Sequence, residues 1–153
     1  MFSFFKRKPP QFFTQEENAK IVEAIRMAEK RTSGEVRVFV ESKCRFVDPL
    51  DRAYELFYGL KMDATDERNA VLVYVAMKHR QLAVFGDEGI HQKVGTEFWK
   101  KEVGIMLSHF NKENYTEGLS QVVTEIGDVL QSHFPYETKG DKNELPDEIV
   151  FGK

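Results

Sequence analysis

The chain has 153 residues, 41% of them hydrophobic, enough for one domain with a real core and too few for a second of similar size. Its 22 Lys and Arg against 25 Asp and Glu give a net charge of -3, so no basic field exists to attract nucleic acid or an anionic membrane. The single cysteine, Cys44, cannot close an internal disulfide and is read as a small filler in a reducing compartment.

The amino terminus MFSFFKRKPP places its hydrophobic residues before its positive charges, the wrong order for a secretory signal. No stretch approaches the roughly 18 apolar residues of a membrane span. A cytoplasmic protein without stable membrane insertion is therefore expected. Residues 1–13 read as a tail, 14–134 as the domain and 135–153 as a second tail. Phe2, Phe4 and Phe5 beside Lys6, Arg7 and Lys8 allow a weak membrane-surface contact as the alternative to a frayed or docked tail.

Thr14-Gln15-Glu16-Glu17 has the form of a capping box and predicts a helix over 14–32, with Ile21, Val22, Ile25 and Ala28 as its apolar stripe. Glu35–Glu41 alternates Val36, Val38 and Val40 against Phe39, as a strand covered on both faces does. Asp48-Pro49 then opens a helix over 49–60 carrying Leu50, Ala53, Tyr54, Phe57 and Leu60 on one side. The uninterrupted run Ala70–Ala76 predicts a central strand, which returns after a short turn as a third strand over 81–86. A short helical turn over 90–94 is expected next. A helix over 96–110 follows, with Trp99, Val103, Met106, Leu107 and Phe110 as its buried stripe; a last one spans 116–133.

This order implies an α/β fold, a three-layer α/β/α sandwich around a small mixed sheet. The helix between the first two strands makes them parallel, and the tight turn makes the third antiparallel. The starts of strands one and two and the end of strand three then share one edge. Glu35, Asp66, Glu67, Arg68, Asn69, Asp87 and Glu88 fall there. Carboxylates gathered in this way repel unless solvated or neutralised by a cation. Oxygen donors without Cys or His suit Ca2+ or Mg2+. Ordinary solvated loop charges, paired with Arg68 and nearby lysines, are the other reading. No Asp-x-Asp-x-Asp-Gly loop is present, and open α/β sheets usually bind ligands at the opposite end of their parallel strands.

The remaining motifs are weaker. His79, His91, His109 and His133 show no metal-ligand pairing, and only His91, which follows Gly86-Asp87-Glu88-Gly89, lies near the edge. That Gly-x-x-Gly turn offers backbone amides of the kind that meet phosphate.

Three stretches, Thr32-Ser33-Gly34-Glu35-Val36-Arg37-Val38, Arg68-Asn69-Ala70-Val71-Leu72-Val73-Tyr74-Val75 and Gly86-Asp87-Glu88-Gly89-Ile90, together resemble the TPM domain family. That family includes thylakoid-lumen proteins tied to photosystem repair. The resemblance spans about 14–134. It implies a mixed-sheet α/β/α sandwich, a divalent ion held at a carboxylate cluster and phosphatase activity in some members. By that similarity Asp87 is the leading site residue, followed by Glu35, with Arg68 and Asn69 in the matching loop. Asp66, Glu67 and Glu88 enter through the geometric argument alone. Here Gly86-Asp87-Glu88-Gly89 replaces the more usual Gly-x-Gly-Leu-Glu form. Two functions follow as expectations: a metal-dependent phosphatase with Asp87 and Arg68 as candidate catalytic residues, or a non-catalytic ion-binding module that recruits a protein partner.

Overall fold

A computed structural model describes residues 12–136 and 148–152; the aromatic and basic residues 2–8 lie outside them. The chain begins its regular structure with α1 (Gln15–Glu29), closed at its start by the expected capping box. The Glu17 amide donates to Thr14 Oγ1 at 3.1 Å and the Thr14 amide to Glu17 Oε1 at 2.9 Å, so two orphan donors are satisfied reciprocally. Beyond it lie β1 (Glu35–Glu41), α2 (Pro49–Gly59), β2 (Ala70–Ala76) and β3 (Gln81–Gly86). The chain then forms α3 (Glu88–Asn111), α4 (Tyr115–His133) and β4 (Val150–Phe151).

The four strands form one mixed sheet in the order β3-β2-β1-β4. β1 and β2 are parallel, with Glu35 opposite Ala70, whereas β3 runs antiparallel to β2, with Gly86 opposite Val71. Both senses agree with the sequence reading. β4 does not figure in that reading, which leaves 135–153 as a tail. Val150 and Phe151 pair parallel with Phe39 and Val40, and Ile149 is buried.

Strand periodicity sorts the core into two layers. Val36, Val38, Val40, Val71, Val73, Val75, Leu82 and Val84 face α1, α3 and α4. Phe39, Ala70, Leu72, Tyr74, Ala76 and Ala83 face α2, which buries Ala53 and Phe57 against them. The α2 side splits where the sequence reading kept it whole, because Leu50 and Tyr54 stay exposed. Leu107, expected in the buried stripe of α3, is also exposed. The buried Glu41 carboxylate ties α2 to the sheet, accepting from Arg52 Nε at 2.9 Å and Nη2 at 3.0 Å and from the Tyr74 hydroxyl.

Two features of α3 matter below. Gly95, at φ +76°, interrupts the helix, separating the short first segment from the longer second one as the sequence predicts. Glu102 is fully buried toward α4, where that burial and the facing Glu125 push its carboxyl up to about 7. No helix of the described residues is long and apolar enough to cross a membrane. Cys44 is free and buried.

Candidate functional site

Asp87 stands where β3 ends and α3 begins. Its amide still belongs to the sheet, donating to the Ala70 carbonyl at 2.9 Å, while its side chain caps α3 by accepting from the Glu88 amide at 2.8 Å. Only 1% of it is exposed. A carboxylate buried to that depth needs strong partners, and Arg68 supplies a two-pronged one. Arg68 Nε donates to Asp87 Oδ2 at 2.6 Å and Nη2 to Oδ1 at 2.9 Å, while Nη1 reaches Glu88 Oε1 at 3.2 Å. These bonds to Asp87 hold the Arg68 guanidinium even further above its ordinary pKa.

The loop before β2 is shaped to present Arg68. Arg68 adopts φ +52°, a left-handed conformation unusual for a residue with a Cβ, and the Gly89 amide donates to its carbonyl at 2.8 Å. Gly89 is required there, since a Cβ would stand 2.1 Å from the Glu67 carbonyl oxygen. The same loop buries Thr65 Oγ1 and Asn69 Oδ1, and neither oxygen has a hydrogen-bond partner. Asn69 Nδ2 donates to Ser33 Oγ at 3.2 Å, and Ser33 Oγ in turn donates to Glu67 Oε1 at 3.4 Å. Glu35, buried at the start of β1, donates its amide to the Asn69 carbonyl at 3.4 Å.

All the predicted residues thus lie along one edge, but they divide by environment. Asp87 and Glu35 are buried; Asp66, Glu67 and Glu88 are exposed. Among the described residues, no three Asp, Glu, His or Cys side chains converge closely enough to hold a metal ion. The edge brings Arg68 to Asp87 and Glu88, and Glu67 to Ser33. It does not close a cage of carboxylates.

Aromatic residues that the sequence reading assigned to core or left unremarked border the same edge. Trp99 Nε1 donates to His91 Nδ1 at 3.0 Å, and both side chains line a cavity of about 560 Å³ together with Tyr58, Asp87 and Glu88. Burial first, and then the Asp87 charge, push the Tyr58 phenol up. Gly86 leaves room for the Trp99 indole, whose ring atoms would lie 2.3 Å from a Cβ at that position. A glycine at a strand end followed by a tryptophan one helical segment later was the available signal.

A model of the TPM domain matches residues 7–129, which contain every residue of this edge. The chain belongs to the TPM domain family. Among solved structures, this TPM domain is similar to the BA42 protein of the psychrophilic bacterium Bizionia argentinensis. The two are 40% identical with a TM-score of 0.85, over 95% of this chain and 99% of the other. It also shares its fold with the N-terminal domain of a P. gingivalis protein, at 17% identity and a TM-score of 0.61 over 82% of each chain. No curated protein matches the chain.

Proposed function

We propose that this TPM domain binds a divalent cation, Ca2+ or Mg2+, where Asp87 meets the loop at 65–69. The observation that carries this reading is the pair of buried oxygens without partners, Thr65 Oγ1 and Asn69 Oδ1, in the loop that also bears Asp66 and Glu67. Buried acceptors without donors are costly, and an oxygen-only donor set suits a hard cation. Asp87, Glu35, Asp66, Glu67 and Glu88 are the carboxylates available to hold it. Arg68 occupies both oxygens of Asp87, so guanidinium and metal compete for that carboxylate.

A melting experiment tests the site. Millimolar Ca2+ or Mg2+ is expected to raise the Tm by mass action on the folded state, and Asp87→Asn to abolish the rise. Melting curves that neither ion moves would overturn the proposal.

Arg68 favours a second reading, phosphomonoester hydrolysis. A guanidinium released from Asp87 beside the α3 amino terminus would meet a phosphoryl group with positive charge. A divalent cation bound there would polarise a phosphoryl oxygen. Hydrolysis of p-nitrophenyl phosphate that Asp87→Asn removes supports the enzyme; turnover unchanged by Asp87→Asn excludes this edge as its source. A TPM domain that binds the ion without turnover is the non-catalytic module.

A further inference from the structure

Among the described residues β3 ends the sheet on its side, so one of its hydrogen-bonding edges faces away from β2. The bond from the Asp87 amide to the Ala70 carbonyl fixes the phase of the antiparallel ladder. Ala83 and Phe85 bond toward β2, while the amides and carbonyls of Leu82, Val84 and Gly86 point outward. No hydrogen bond between described residues uses these outward groups. Edge strands are usually blunted by proline, a bulge or charge; Leu82-Ala83-Val84-Phe85-Gly86 has none of these.

Instead, β3 lies recessed between two helices. On α2, Leu50, Tyr54 and Tyr58 recur every four residues and are 45%, 56% and 39% exposed. Tyr54 meets Phe85 of β3 edge-on, with ring centroids 5.6 Å apart. On α3, Trp99, Val103 and Leu107 repeat the same spacing. The cavity of about 560 Å³ runs along β3, with Leu50 and Tyr58 on one wall and Trp99 and Val103 on the other.

We infer that this groove binds an extended peptide segment of a partner protein, added as a strand beside β3. Its backbone would pair with Leu82, Val84 and Gly86, and its side chains would alternate between the α2 and α3 walls. Charge selects the segment further. The acidic residues bordering the groove are Asp48, which caps α2, and Asp87 and Glu88, which open α3. One guanidinium, Arg68, is shared by Asp87 and Glu88, and Lys100 lies 3.8 Å from Glu97, so with Asp48 the carboxylates at the groove outnumber the cations and favour basic residues flanking an apolar stretch. This inference stands apart from the cation reading.

The probe is a blocked heptapeptide alternating valine and threonine between terminal lysines, titrated into 15N-labelled protein. Shifts at the Leu82, Val84 and Gly86 amides are expected, with slowed hydrogen exchange there. A version N-methylated on its pairing edge should bind at least about tenfold more weakly, since its side chains are kept while its backbone donors are lost. Tyr54→Ser, an exposed substitution, should weaken binding and leave the fold intact. Equal binding of the N-methylated peptide, or no shift at millimolar peptide, overturns the inference. The same shifts appearing with protein concentration alone mean self-association and also overturn it. Running the titration in EDTA and again in Ca2+ separates the groove from the metal: binding in EDTA supports the inference even if no cation is ever bound.

Discussion

Glu102→Gln is expected to make the protein more stable at pH 8 and to remove much of its loss of stability between about pH 4.5 and 7. Glu102 is fully buried between α3 and α4, and its carboxyl is held at about 7 by that burial and by Glu125, against an ordinary 4.5. The folded state therefore keeps a proton that the unfolded state has already released, and stability falls as pH rises through this window. The contribution is fully present below about 4.5 and lost above about 7. Its size is roughly 3 kcal/mol. Glutamine keeps the shape and cannot ionise. The groups around it are Glu125 from α4, the adjacent Lys101, and His109, which is linked to Glu125 through Gln121. Urea melts at pH 5 and pH 8 check the sign; an unchanged difference in Glu102→Gln would show that Glu102 is ionised in the folded protein.

Gly89→Ala is expected to cost about 2–4 kcal/mol and to disorganise the candidate site. The added Cβ would stand 2.1 Å from the Glu67 carbonyl oxygen and 2.6 Å from that of Arg68, and both obstacles are backbone. No rotamer change relieves such a contact, so the 65–69 loop must move, taking Arg68 away from Asp87. Gly104→Ala is the matched control, because a Cβ there meets nothing within 4 Å inside a helix. That change should stabilise by up to about 1 kcal/mol. Equal denaturation midpoints for the two variants would mean that the loop is not clamped at Gly89.

Much of this architecture was legible in the residues. The spans Glu35–Glu41 and Ala70–Ala76, their parallel sense and the antiparallel return of β3 follow from periodicity and connection length, which are local and strong. The shared edge followed from that topology. Three things did not follow. A two-residue strand after a polar segment has no period to read, so β4 was missed. The pairing of Arg68 with Asp87 depends on the left-handed Arg68 backbone, which no composition rule reveals. Leu50, Tyr54 and Leu107 carry helical spacing identical to that of core residues. Only the packed structure shows that, among the described residues, the sheet ends at β3 and these side chains stay exposed.

β4 also brings the two ends of the described chain together. Phe12 and Phe13, at the start of the described chain, pack their rings on Phe151, with centroids 6.5 Å and 6.3 Å away. Both ends of the domain therefore converge on the β1 and β4 side of the sheet, opposite β3. That proximity makes the fold a scaffold for circular permutation, with its ends joined by a short linker and reopened at the 77–80 turn.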